Sequence, residues 1–152
     1  MRDIHSYAAG EWLAPGAGAR NIASAITGEV IAQAGNDALD AAAMLGFARE
    51  HGGPALRAMT FHDRARMLKA LALHLMEHKQ ALYDLSYDTG ATLSDHKIDI
   101  DGGIGTMLVF ASKGRREMPD AHVYLDGAPE QLGREGQFMG RHICTPLQGV
   151  AV

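Results

Sequence analysis

Residues 98–119 read IDIDGGIGTMLVFASKGRREMP, and this stretch places the tightest constraint on the fold. Its periodicity is helical, yet Gly102, Gly103, Gly105 and Gly114 all fall inside it. Each interior glycine costs a helix up to about 1 kcal/mol against alanine. The spacing supplies a reason to keep them. Ile98, Gly102, Gly105, Thr106, Val109 and Ser112 recur at three and four residues, which lines small side chains along one stripe. Such a stripe lets a backbone, a partner helix or a ligand come close. Met107, Leu108 and Phe110 remain to cover the other faces of a buried helix. Lys113, Arg115 and Arg116 fall at its C-terminal end, where cations meet the negative end of the dipole, and Pro119 stops it. Two readings follow: a packing accommodation inside a core, or a wall along a ligand passage.

Upstream, the chain opens on short strands. Residues 6–13 turn back at Gly10-Glu11, a glycine-rich turn follows, and residues 21–26 pair through Thr27-Gly28-Glu29 with residues 30–34. Asn36 or Asp37 is placed to open a helix with a narrow face of Leu39, Ala42, Ala43, Gly46 and Phe47, ended by HGGP at 51–54. Thr60-Phe61-His62-Asp63 resembles a capping box with Asp in place of Glu. Phe61, Ala65, Leu68, Ala72 and Leu75 then form one apolar stripe, with Leu71 beside it. The segment continues, with a bend near His78, through Leu82 and Leu85 to a stop at Gly90. Ser94 or Asp95 caps the glycine-bearing helix.

After Pro119 the pattern changes. Residues 123–125 read as a short strand, 126–136 as a polar, glycine-rich connection, and 137–145 as a longer strand. That strand carries Phe138, Gly140, His142 and Cys144 on one face and Met139, Arg141, Ile143 and Thr145 on the other. The last four residues, GVAV, resemble the first half of a buried strand, which needs neighbours on both sides. The expectation is therefore a piece of a longer chain. The resulting fold class is α/β: hairpins over 1–35, three to four helices over 36–119, and strands over 120–152.

Composition narrows the classes of function. Of the 152 residues, 47% are hydrophobic and 21% charged, as in an ordinary globular chain, and the net charge of −4 gives no reason to expect nucleic acid or an anionic membrane. A single cysteine, Cys144, rules out an internal disulfide framework and fits a reducing, cytoplasmic setting. The first residues hold no apolar core long enough for a signal peptide, and no apolar run approaches the ~18 residues of a membrane span.

The local motifs are weak. His74-Leu75-Met76-Glu77-His78 matches H-x-x-E-H, with the two histidines one helical turn apart and Glu117, Glu130 or Glu135 as candidate further ligands. With 8 histidines in the chain the match arises easily by chance, and the favoured reading is a surface stripe with no metal ligand assigned. Cys144 reads as a structural cysteine, although His142 shares its face. GGIGT lacks the third glycine of a dinucleotide fingerprint and lies within a helix. Lys113-Gly114-Arg115-Arg116 reads as a favourable helix end rather than a phosphate site.

The strongest functional signal lies in longer stretches: Gly10-Glu11-Trp12; NIASAITGEVIA at 21–32; Thr89-Gly90 closing a long helix; GGPALRAMTFHDRARMLKALA at 52–72; IDIDGGIGTMLVFASKGRRE at 98–117; and HICTPLQGVAV at 142–152. Together they resemble the N-terminal part of the aldehyde dehydrogenase superfamily. The turn at 21–29 lacks the proline usual there. The resemblance covers essentially the whole chain and is specific at 102–117. Within the superfamily it is nearest to the dehydrogenase halves of bifunctional ring-opening proteins of bacterial phenylacetate degradation and to CoA-linked semialdehyde dehydrogenases of benzoate degradation.

The resemblance implies an NAD- or NADP-dependent oxidoreductase. In the superfamily a cysteine thiolate attacks the aldehyde, a hydride passes to the nucleotide, and a glutamate-activated water releases the acid. The nucleophile, the glutamate, the oxyanion asparagine and the nucleotide-phosphate loop lie beyond the strand at Gln148-Gly149-Val150. The resemblance therefore assigns no catalytic and no cofactor-binding residue here, and Cys144 does not correspond to the nucleophile. What it does imply is scaffold: the incomplete beginning of a nucleotide-binding domain, strands of an oligomerisation arm, and a helix walling a substrate tunnel with Ile98, Gly102, Gly105, Thr106 and Val109. The implied partners are a CoA-linked small molecule and further copies of the chain, with no nucleotide bound to this portion alone. The competing reading is a non-catalytic oligomerisation or interaction module.

Overall fold

The computed structural model describes residues 1–150; the expected strand over the last residues involves Ala151 and Val152, which lie outside the described residues. The architecture is mixed α/β, with short strand pairs at both ends and four helical runs between them.

The N-terminal strands form two small sheets. In one, β2 (Ser6–Ala8) and β3 (Glu11–Leu13) pair antiparallel. The turn is Ala9-Gly10, with φ of 50° and 89°, one residue earlier than Gly10-Glu11. Tyr7 and Trp12 face each other across it, their rings 5.1 Å apart. In the other, β4 (Arg20–Ala23) pairs antiparallel with β5 (Val30–Ala34) through the Thr27-Gly28 turn. The Ser24 hydroxyl accepts the Ile26 and Thr27 amides there. β1 (Arg2–Asp3) adds to β5 in parallel. Two residues carry no alternation that a sequence reading could detect.

The first helical run starts later and ends later than the sequence suggests. α1 (Ala41–Phe47) is capped by Asp40, whose carboxylate accepts the Ala42 and Ala43 amides at 2.9 and 3.0 Å. Asp37 instead accepts the Gly18 amide at 3.0 Å. Nor does HGGP end the run. A π-helical turn, Ala48–Gly52, lets the Gly53 amide reach the Ala48 carbonyl, and α2 (Gly53–Ala58) begins beyond it. Pro54 sits in the first turn of α2, where a missing N–H costs little. The extended backbone of Met59 is the actual stop.

α3 (Phe61–Glu77) follows the sequence closely. Thr60 and Asp63 form the reciprocal capping box, each amide 3.1 Å from the other's side chain. Ala65 and Ala72 are buried on the expected stripe. The bend falls at His78, which separates α3 from α4 (Lys79–Tyr87). The last run is α5 (Leu93–His96), a π-helical turn Lys97–Asp101, and α6 (Gly102–Glu117). Its cap is Thr92, neither Ser94 nor Asp95. Thr92 builds a second capping box with Asp95 at the third helical position, a T-x-x-D pattern like the one at Thr60.

α3 and α6 pack side by side; the residues buried on them are Ala65 and Ala72 on α3 and Ile104 and Ala111 on α6, with Gly114 against Ala65. A Cβ placed on Gly114 would lie 3.2 Å from the Ala65 Cβ. Three links tie the start of α3 to the segment after α6: the Phe61 amide donates to Ala121 O (3.0 Å), His62 Nε2 to Met118 O (2.8 Å), and Thr60 Oγ1 to Asp120 (2.5 Å).

The C-terminal strands correct the sequence reading most. β6 runs Tyr124–Gln131, through most of the stretch read as a connection, and pairs antiparallel with β7 (Met139–Cys144). A register shift between Asp126 and Glu130 absorbs Gly127 and Pro129, which lie in the polar, glycine-rich stretch read as a connection. The actual turn lies between Gln131 and Met139, around Gly133 and Gly136.

Candidate functional site

The residues assigned to a passage wall lie on the last helical run. What holds that run in place is a cluster at its start. His96 is fully buried, stacked on Tyr83 with centroids 5.6 Å apart and edge-on to Tyr87 at 4.4 Å. Tyr83 donates its hydroxyl to Asp101 at 2.5 Å, and Lys79 Nζ lies 3.6 Å from the same carboxylate. The hydrogen bond to Asp101, then burial, push the Tyr83 phenol up from its ordinary value. These contacts clamp the π-helical turn, and one wide turn re-phases every side chain beyond it.

Ile98, Gly102, Gly105, Thr106 and Val109 do share a face. That face points away from α3. Ile98 is 70% exposed and Val109 57% exposed. A Cβ added to Gly102, Gly103 or Gly105 would meet nothing within 4 Å. Thr106 returns its hydroxyl to the Gly102 carbonyl at 2.9 Å. Packing inside the core of this chain is therefore not what these three glycines provide. Gly114 provides it, and the residues that cover the seam are Ile104, Leu108 and Ala111 rather than Phe110, which is exposed. Spacing did not separate the two stripes, because both repeat at three and four residues on one helix.

Next to the seam, α3 and α6 leave an open groove of about 420 Å³ floored by Phe61, Ala65, Leu68, Phe110, Gly114 and Met118. Arg64 lies over the Phe61 ring at 5.0 Å, and its Nε and Nη2 are buried without a hydrogen-bond partner. Lys113 and Glu117, 3.8 Å apart, stand at the rim.

The other candidates separate. Cys144 is exposed rather than packed, directly across the hairpin from Tyr124, while the His142 imidazole lies 4.0 Å from Asp126. A dinucleotide pyrophosphate needs free amides at a glycine turn that opens a helix. Gly102, Gly103 and Gly105 lie inside a helical run begun at Leu93, and the Gly102 amide is engaged by Asp99 O. This glycine run does not fit a nucleotide's phosphates. His74, Glu77 and His78 do come together: their donor atoms lie within 4.8 Å of one another, on the exposed end of α3. Glu117, Glu130 and Glu135 are not part of that group. Among the described residues no helix is long and apolar enough to cross a membrane.

Comparison with known proteins completes the description. Residues 12–134 match the aldehyde dehydrogenase family. The chain is also similar to a 3,4-dehydroadipyl-CoA semialdehyde dehydrogenase of Aromatoleum evansii, 34% identical over 150 residues. That alignment takes in 98% of this chain and 29% of the relative, so the chain spans under a third of the protein it matches.

Proposed function

The chain belongs to the aldehyde dehydrogenase family, and on that premise we propose that it forms the N-terminal portion of an NAD(P)-dependent dehydrogenase for a CoA-linked semialdehyde in aromatic-compound degradation. The observation that carries this reading is the 34% identity to a CoA-semialdehyde dehydrogenase along nearly all of the chain. The catalytic thiol, its glutamate and the nucleotide site are supplied by sequence beyond this portion, which by itself neither oxidises aldehydes nor holds a nucleotide tightly. The protein is cytoplasmic and homo-oligomeric. The exposed apolar side chains of the β6–β7 hairpin, including Leu132, Phe138, Met139 and Ile143, favour a role in subunit contacts.

In this reading the open face of Ile98, Gly102, Gly105, Thr106 and Val109 borders the passage through which the acyl-CoA chain enters. The open space over Gly102 and Gly105 supports that role, since among the described residues nothing would lie within 4 Å of a Cβ placed on either. The test is the full reading frame, expressed and assayed for NADH and NADPH formation with a CoA-linked semialdehyde and with small free aldehydes. Aldehyde-dependent reduction, with kcat/KM higher for the CoA-linked substrate, is the expected result. Gly102→Leu should lower that kcat/KM more for the CoA-linked than for the small aldehyde. A full-length protein that reduces neither nucleotide would overturn the proposal in favour of a non-catalytic module.

A further inference from the structure

We propose that His74, Glu77 and His78 form a binding site for a divalent transition-metal ion of the zinc, nickel and copper class at the end of α3. In sequence the three are an H-x-x-E-H match whose favoured reading is a helical surface stripe. In the structure they converge. Positions 74 and 78 are one helical turn apart, and 77 stands at i+3 from 74. The two imidazole rings are 4.4 Å apart and inclined by 38°, and all three ligand atoms lie within 4.8 Å of one another. Donors around a tetrahedral ion with bonds of about 2.0–2.2 Å stand roughly 3.3–3.6 Å apart.

The tautomer of His78 is fixed in the sense that ligation requires. Its Nδ1 lies 2.9 Å from the His74 carbonyl oxygen. A carbonyl oxygen only accepts, so Nδ1 carries the proton and Nε2 keeps its lone pair for a metal. A backbone carbonyl holding the far nitrogen is the usual support of a metal-bound imidazole. Glu77 adds a carboxylate beside the two imidazoles, at the junction where His78 ends α3 and opens α4. Two imidazoles and one carboxylate select borderline ions over Mg²⁺ and Ca²⁺, which prefer all-oxygen sets. The remaining coordination positions are left to water.

The test is a calorimetric titration of the full chain, stripped with chelator, using ZnCl2 and, in parallel, MgCl2. One zinc per chain and no magnesium uptake are expected. H74A and H78A should each weaken zinc binding at least about tenfold, and E77Q by a smaller factor. Because all three positions are exposed, the variants should keep the wild-type circular dichroism. Zinc should raise the melting temperature of the wild type and not that of the H74A/H78A double variant. Failure of the wild type to take up stoichiometric zinc would overturn the proposal. So would zinc binding of equal affinity in the double variant, because the ion would then sit elsewhere.

Discussion

The α3–α6 pair, brought together across two intervening helices, and the β6–β7 hairpin, joined by a short turn, differ in how much of their packing this chain supplies. The helices close on each other through alanine and Gly114, with the start of α3 tied to residues 118–121 by backbone and side-chain hydrogen bonds. The hairpin satisfies its backbone and leaves its side chains outside: Phe138 is 64% and Ile143 61% exposed. Hydrogen bonds fix the register of a ribbon, and burial of apolar area supplies most of its stability. The first region therefore has a seam packed within this chain, although Leu71, Val109 and Phe110 stay exposed on its outer faces, and the second has its apolar side chains uncovered.

The largest effect that should separate the two is overpacking of the seam. Gly114→Leu places a side chain where even a Cβ approaches Ala65 at 3.2 Å. It should cost about 1–3 kcal/mol, read as a fall in melting temperature. An unchanged melt would mean that the seam is not close-packed.

Thr60→Ala should cost about 1 kcal/mol by removing the cap of α3. The same box predicts an acid response. The Arg66 guanidinium and then the Thr60 backbone and hydroxyl hold the Asp63 carboxyl below its ordinary 3.8, and the Thr92 amide and hydroxyl do the same for Asp95. Groups that titrate lower in the folded chain bind protons first in the unfolded one. Their contribution is complete above about pH 5 and is lost as pH falls through 3.8 toward the folded values. Melts from pH 6 to pH 3 should show that decline, with a shallower slope in Thr60→Ala.

Gly105→Ala sharpens the contrast within α6, since open space and helical backbone should make it stabilising, by up to about 1 kcal/mol. A destabilised Gly105→Ala would place hidden packing on that face. Ile143→Thr, on the hairpin, should shift stability by less than about 0.5 kcal/mol. A larger loss would mean that the hairpin already leans on the body of this chain.

The same contrast explains what the sequence made legible. The stripe of α3, the box at Thr60 and the break at His78 are written in local spacing and capping chemistry, and each is found where expected. The contact glycine is not legible, because Gly102, Gly105 and Gly114 look alike until a partner helix selects one. The π-helical turns at Ala48–Gly52 and Lys97–Asp101 change helix phase without any composition signal. β6 was hidden by Gly127 and Pro129, which local rules assign to a loop and which pairing with β7 absorbs as an irregularity. Of the candidate site, the shared face of residues 98–109 was legible, and its outward direction was not.

Native-state hydrogen exchange, read residue by residue, tests the central claim most directly. Amides of α3 and α6 that face the seam, such as those of Ala72 and Ala111, should open only with the whole unit. The amides that hydrogen-bond β6 to β7 should exchange at least about a hundredfold faster. Equal protection in the hairpin and the helical pair would contradict the division of this chain into a packed helical seam and an uncovered arm.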